Sequence, residues 1–262
     1  MRQTRIYRLL EGYRDRPAAD LDAIALTLAK ISAMIIAHPE IRELDINPLI
    51  ADEHGVIALD ARVRVVSQAE KPRQPMSITP YPTHLEQHVT LPEVGALLIR
   101  PIRPEDELLY EKLSKRVTPA DLRMRFFTAG QTLSHKLIAR LTQIDYAREM
   151  AFVALDEANG ALLGVARMVC DPDHTRAEYS IIIASDLKRH GLGWLLMQTL
   201  INYARIEGHT HLFGDVLAEN AAMLKMCREL GFTVKTTPDD PTVNRVTLDL
   251  TQPSKHVVGS LP

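Results

Sequence analysis

Residues 186–203, DLKRHGLGWLLMQTLINY, constrain this chain more than any other stretch. They follow the β-branched run SIII and pass through a basic, glycine-containing turn into apolar residues at helical spacing. Leu192, Leu195, Leu196, Thr199, Leu200 and Tyr203 form one stripe, so the turn ends at the N-terminus of a packed helix. The first N–H groups of such a helix have no partner within it and carry the positive end of its dipole. Gly191 and Gly193 permit close backbone approach and conformations closed to other residues, while Lys188, Arg189 and His190 add charge. Strand, turn and helix together make an anion site suited to a phosphate or pyrophosphate. The glycines alone serve equally well for a softened helix start with a solvated basic face, so the rest of the chain has to decide.

Two common phosphate loops are excluded. HGLGWL lacks the third glycine of a dinucleotide-binding GxGxxG, and no GxxxxGK followed by Ser or Thr is present. Bulk properties narrow the class further. The chain has 262 residues, 46% of them hydrophobic, and a formal charge of −2. That is a globular composition long enough for two domains, and too weakly charged for a general nucleic-acid binder. Cys170 and Cys227 give no disulfide framework and suit a reducing compartment. The start, MRQTRIYRLLEGYRDR, is broken by charge and holds no signal-peptide core, and no apolar run approaches a membrane span. A cytoplasmic setting is expected, without nucleic acid or membrane as partner.

Periodicity divides the chain in two. Residues 20–37 read as a helix with Ile24, Leu28, Ile31 and Ile35 on one face, stopping at His38-Pro39. ELDINPLI (43–50) and VIALDARVRV (56–65) follow around the turn ADEHG; the second alternates as one half-buried strand, and the pair predicts a hairpin. Residues 67–82 carry four prolines and read as a linker. Beyond residue 84 the pattern is mixed α/β. Strands are predicted at 95–102, 151–155, 161–170, 178–185, 211–218 and 245–250, with helices at 104–115, 134–144, 191–203 and 220–230. The expected boundaries are 1–66, a linker over 67–83, a domain at 84–250 and a fraying tail at 251–262.

Across residues 84–250 the sequence resembles the GNAT superfamily of N-acetyltransferases. Lys188-Arg189-His190-Gly191-Leu192-Gly193 is similar to that family's Gln/Arg-x-x-Gly-x-Gly/Ala pyrophosphate turn, with Lys in the first place. Downstream, ENAAMLKMCRELGF sets Asn220 and Leu230-Gly231-Phe232 where the family has its Asn and its helix-ending LGF. The resemblance implies an α/β (α+β) fold with a mixed, mostly antiparallel sheet and flanking helices. It also implies acetyl-CoA held by residues 188–193, Trp194 and Asn220, and by the strand edge at Ile181, Ile182 and Ile183. No metal is expected. On that edge, backbone N–H groups would meet the oxyanion and pair with pantetheine amides as an added strand does.

The chemistry calls for a base. A lysine amine with pKa of about 10.4 is almost wholly protonated near pH 7, so it must lose a proton before attacking a thioester. Glu178 starts the strand that leads to the acyl group and is placed to take that proton directly or through water; the alternative is an idle, solvated glutamate. Within the superfamily the chain looks most like bacterial Pat-type protein lysine acetyltransferases, which implies Glu178 as the base. Glu219 is the reserve and Glu149 a more distant one. Cys227 stands where many members carry a tyrosine that protonates the leaving thiolate. A thiolate departs without much help, so Cys227 is read as a small apolar filler. His209 and His211 are spaced like metal ligands, but no Cys or third His stands near them in sequence. In LRMRFF, Phe126 and Phe127 are assigned to packing, and Arg123 and Arg125 are left open between an acceptor site and a helix end.

The first part has its own resemblance. ELDINPLI with ALDARVRV looks like the end of an ATP-grasp domain of NDP-forming acyl-CoA synthetases. Asp45, Asn47 and Asp60 are oxygen donors of the kind that hold Mg²⁺ against nucleotide phosphates. An ATP-grasp fold needs far more chain, so this segment is read as a remnant, helix plus β-hairpin, without ATP chemistry of its own. Long Pat-type enzymes join such a region to a C-terminal acetyltransferase. The resemblance therefore implies acetyl transfer to a protein lysine, with acyl-CoA synthetases as favoured acceptors. The readings weighed against it are a non-catalytic acyl-CoA-binding regulatory module and a small-amine acetyltransferase.

Overall fold

The computed structural model describes residues 6–12, 17–38, 40–65, 79–128 and 133–252. Residues 67–78 of the expected linker and 253–262 of the expected tail lie outside them. Two compact units are present, Met1–Thr79 and Pro80–Pro262.

In the first unit a short helix, α1 (Tyr7–Leu10), precedes α2 (Leu21–Ala37). Asp20 caps α2 by accepting from the Ala23 N–H at 2.8 Å. Then come β1 (Ile41–Ile46), β2 (Leu49–Asp52), β3 (Gly55–Ala58) and β4 (Ala61–Val65). β2 pairs with β3 and β1 with β4, all antiparallel. The hairpin is therefore present, but the single strand expected at 56–65 is two. The ladder breaks where Pro48, which has no N–H, lies against Leu59 and Asp60. The expected half-buried alternation is also absent. Ile57, Leu59, Val63 and Val65 are 50–60% exposed, and every position of β4 is exposed. Within the unit only Ile24 and Ile41 are buried apolar residues among those described.

The second unit is built on eight strands in the order β11-β12-β10-β9-β8-β7-β6-β5. They are β5 (Gln87–Leu91), β6 (Gly95–Pro101), β7 (Glu149–Asp156), β8 (Leu162–Cys170), β9 (Arg176–Ile183), β10 (His211–Leu217), β11 (Thr233–Thr237) and β12 (Asp240–Asp249). Neighbours are antiparallel except β9 and β10, which are parallel. The helices are α3 (Glu107–Ser114), α4 (Pro119–Phe126), α5 (His135–Thr142), α6 (Leu192–Ile206) and α7 (Ala221–Glu229). The expected α/β architecture with a mostly antiparallel sheet is the one observed.

Helices cover both faces. Leu192, Leu196, Met197 and Leu200 of α6 pack with Leu224 and Cys227 of α7 against Phe152, Ala166 and Met168. On the opposite face Tyr110, Leu113, Leu122, Ile138 and Leu141 from α3–α5 pack against Val153, Val165 and Ile182. β7 is buried on both faces, which is why AFVAL reads as an unbroken apolar run. Tyr81 stacks edge-on against Tyr146, so the last residues of the expected linker belong to this unit. Arg100 and Asp106, both almost fully buried, form a bidentate ion pair at 2.6 and 2.7 Å between the end of β6 and the start of α3. Removing one partner of such a pair leaves a buried charge, at a cost of about 3–5 kcal/mol.

Candidate active site

β9 and β10 share only three register positions: Arg176 with His211, Ala177 with Leu212 and Glu178 with Phe213. Beyond Glu178 they part, because each is held by a different neighbour. β8 keeps pairing with β9 as far as Ile183, and β12 keeps pairing with β10 as far as Leu217. A wedge-shaped gap opens at the middle of the sheet, with one unpaired edge of β9 lining it.

Strand alternation says which groups line that edge. Ala184 donates to the Leu163 carbonyl at 2.9 Å, and Arg176 accepts from the Asp171 N–H at 2.8 Å. Residues two apart share a direction, so Glu178, Ser180 and Ile182 also turn their backbone groups toward β8. Tyr179, Ile181 and Ile183 turn theirs toward the gap. Of the three isoleucines, Ile181 and Ile183 present free backbone N–H and C=O groups there. Ile182 instead buries its side chain against α3–α5.

Past Ile183 the chain makes a 3-10 turn at Ser185–Leu187 and then the basic turn. Arg189 has φ 70° and Gly191 φ 84°, both left-handed, so successive N–H groups converge in the manner of anion-binding nests. Gly191 is the N-cap of α6, with no side-chain cap and no acidic residue in the first turn. The helix's first N–H groups and its positive dipole end are therefore left for a ligand.

The two glycines have different tasks. Gly191 supplies the positive φ, whereas Gly193 is ordinary helix. A Cβ on Gly193 would meet only Ile183, Met226 and Ile181, at 3.8–4.0 Å. The protein's own packing does not demand glycine there, and the missing side chain leaves room between α6, α7 and the β9 edge.

The basic side chains are less available than their sequence suggests. Lys188 is ion-paired with Asp121 at the start of α4, and His190 Nδ1 lies 2.6 Å from Glu93 Oε2. Asp121 also accepts from the Ser185 hydroxyl. Burial alone would raise the Asp121 pKa, but hydrogen bonds from Lys188, Ser185 and Thr118 outweigh it and hold the pKa below the usual carboxylate value. Arg189 has no carboxylate partner among the described residues. Trp194 is partly buried in the first turn of α6. The Asn220 side chain caps α7, accepting from the Met223 N–H at 3.2 Å.

Glu178 occupies the last shared register position, where the gap begins, and its side chain is exposed. No ion pair engages it among the described residues. The other two candidate carboxylates are committed: Glu219 is paired with Arg123, and Glu149 lies 2.7 Å from Arg167. Arg125, on α4, donates to the Ser180 hydroxyl at 2.7 Å, so it reaches β9, the strand that carries Glu178. The sequence reading left Arg125 open because α4 and β9 are more than fifty positions apart.

Cys227 is fully buried, and a phenol reaches it from an unexpected direction. Tyr179 Oη of β9 lies 3.2 Å from Cys227 Sγ, and its ring stacks edge-on with Phe232. Both belong to the core beneath α6 and α7, and burial drives the pKa of both groups upward. His209 also gains a partner that its sequence neighbourhood lacks, since Cys170 Sγ lies 3.5 Å from its Nε2. Among the described residues no group of three or more His, Cys, Asp or Glu is placed to hold a metal. No helix among them is long and apolar enough to cross a membrane.

The architecture can now be set beside known proteins. The profile of the acetyltransferase (GNAT) family matches residues 119–232, and that of the ATP-grasp domain matches residues 1–65. An acetyltransferase of Pseudomonas aeruginosa is 36% identical over 148 residues, covering 56% of this chain and 80% of the relative. This chain belongs to the GNAT acetyltransferase family. It is accordingly an acetyl-CoA-dependent N-acetyltransferase.

Other similarities cover less. Acetyltransferase Pat of Mycolicibacterium smegmatis is 31% identical over 108 residues, 41% of this chain and 32% of that protein. An ADP-forming acetate–CoA ligase of Archaeoglobus fulgidus is 40% identical over 63 residues, 24% of this chain but only 9% of the ligase. The crystal structure of the GNAT domain of S. lividans PAT superimposes with a TM-score of 0.60 at 24% identity, covering 65% of this chain and 99% of that domain. That last likeness concerns the fold. With so little of the ligase and of Pat spanned, neither protein's own activity comes with the similarity.

Proposed function

We propose that this chain transfers the acetyl group of acetyl-CoA to a lysine ε-amine on a protein, with Glu178 as general base, in a reducing, cytoplasmic setting. The observation that carries the reading is the position of Glu178. It is an exposed carboxylate without an ion pair among the described residues, at the point where β9 and β10 part and three residues before Ile181 on the open edge. Support for a protein acceptor comes from the Pat-type resemblance and from the ATP-grasp segment at residues 1–65. That segment ties the chain to acyl-CoA synthetases, which are the acceptors proposed.

The chemistry follows from the groups at the gap. The uncapped start of α6, with the left-handed Arg189 and Gly191, binds the pyrophosphate, and Gly193 leaves it room. The open edge of β9 pairs with the pantetheine amides and donates N–H to the thioester oxygen as charge develops there. Glu178 removes a proton from the lysine ammonium, directly or through water. The neutral amine then forms the N–C bond as the C–S bond breaks, and the nitrogen gives up its second proton to solvent to leave the amide. The thiolate leaves without a dedicated acid and takes a proton from solvent.

The test is CoA release from acetyl-CoA with an acyl-CoA synthetase as acceptor, comparing wild type with Glu178→Gln. Turnover in wild type, lost in the variant while acetyl-CoA binding is kept, is the expected result. Equal turnover in both removes Glu178 from the mechanism. Binding without acceptor-dependent turnover in either protein favours a regulatory module, and turnover of spermidine alone favours a small-amine enzyme.

A further inference from the structure

Among the described residues Arg125 and Arg205 are the half-buried arginines of the second unit without a carboxylate partner, and Arg205 lies against the Gln252 carbonyl instead. Arg100 and Arg167 are buried and each is matched by a carboxylate, Asp106 at 2.6 Å and Glu149 at 2.7 Å. The more exposed Arg103, Arg116, Arg123 and Arg245 also have carboxylate partners. Arg125 is half-buried and has none among the described residues. Its contacts are the neutral Ser180 hydroxyl at 2.7 Å and the Phe126 ring, whose centroid lies 4.8 Å from the guanidinium carbon. A guanidinium has five N–H donors, and its planar fork is shaped for a carboxylate. Ser180 is its one side-chain hydrogen-bond partner among the described residues, so the rest of the fork is engaged by no carboxylate.

Its surroundings point the same way. Burial pushes the Arg125 pKa down; the charged groups whose fields reach it are Tyr110 when ionised, Arg167 and Glu178. Glu178 is beyond ion-pair distance, and Arg167 is already matched by Glu149. Ser180 is two residues beyond Glu178 on the same face of β9, so Arg125 flanks the approach to the base. A cation there repels a bare ammonium. An acceptor that carries its own carboxylate beside the amine reverses that repulsion and matches the rest of the fork.

We propose that Arg125 is the specificity residue of the acceptor site and binds a carboxylate carried by the acceptor close to the reacting lysine. On a protein this is an Asp or Glu next to the target lysine; on a small molecule it is an α-carboxylate. The inference rests on the reading of the gap as a lysine acetyltransferase site.

Its test does not depend on turnover. Peptides are joined to the CoA sulfur through an acetyl bridge on the lysine Nε, with Glu or Gln beside that lysine, and their affinities are measured by calorimetry. Wild type should bind the Glu conjugate about tenfold more tightly than the Gln conjugate, and Arg125→Gln should bind the two alike. Arg125→Lys, which keeps the charge without the fork, should restore part of the preference, and CoA itself reports whether each variant is folded. An unchanged Glu/Gln ratio in Arg125→Gln, or no preference in wild type, overturns the proposal. Failure of the lysine reading would look different, as conjugate preference without acetylation of either peptide. Acetylation of free lysine but not peptides, with the same dependence on Arg125, would assign the carboxylate to a small molecule.

Discussion

Replacing Gly193 with alanine should separate what the fold needs from what the ligand needs. Gly193 is the second residue of α6, in helical backbone, and an added Cβ meets Ile183, Met226 and Ile181 at 3.8–4.0 Å. Those are ordinary van der Waals contacts, so no overpacking cost arises in the free protein. The unfolded chain loses conformational freedom, and Gly→Ala at a compatible position stabilises by about 0.4–1 kcal/mol. For a domain of this size that is a rise in Tm of roughly 1–4 °C. In the complex the same methyl occupies the room beside the uncapped helix start. Forcing a methyl into a filled site costs about 1–3 kcal/mol, which corresponds to roughly 5- to 150-fold in Kd. Thermal melting without ligand and titration with CoA measure the two effects on one variant. A variant that melts higher and binds CoA more weakly supports the assignment. Wild-type affinity would show that the room beside Gly193 is not the ligand's, and a lowered Tm would show that the fold itself needs glycine there.

Two further outcomes follow from neighbouring contacts. Asp121→Asn removes the negative charge and one of the two oxygens that accept from Lys188 and Ser185 at the base of the basic turn, at a cost of about 1.5–3 kcal/mol for a hydrogen bond to a charged group. Because the folded pKa of Asp121 is lowered, this contribution is full above the unfolded carboxylate value of about 3.9 and is lost as pH falls through the folded value. The Tm gap between wild type and Asp121→Asn should therefore be open at pH 7 and close in acid; a gap independent of pH refutes the ionic role. Gly214→Ala puts a methyl 2.7 Å from the Tyr179 ring, which is buried between Phe232 and Cys227 and cannot yield. It should destabilise by about 1–3 kcal/mol, read as a lower Tm, and an unchanged Tm would mean that the ring is free to move.

Much of this was legible in the chain itself. The stripe from Leu192 to Tyr203 specifies a packed helix, and Gly191 before it specifies where that helix begins, because both are local consequences of spacing and backbone freedom. The strands at 151–155 and 161–170 are equally local, since AFVAL and ALLGVARMVC are apolar runs of strand length. The hairpin in the first unit was predicted by alternation, but its exposure was not. Alternation marks a face able to be buried, and only a second layer buries it. Tyr179, Arg125 and the Cys170–His209 contact were out of reach, because each depends on elements far apart in sequence.

The sequence by itself determined that a strand, an open helix start and a carboxylate follow one another closely between Glu178 and Gly193, because these lie within sixteen consecutive residues. Only the tertiary structure decided which of these groups are left without a partner. β9 and β10 part because β8 and β12 hold them on opposite sides, so the gap is a property of sheet topology rather than of any segment. The same topology commits Glu149 and Glu219 to arginines from elsewhere in the chain and leaves Glu178 open. Partners that meet across the sheet are chosen by the fold, and their charges are matched or left unmatched only when it closes.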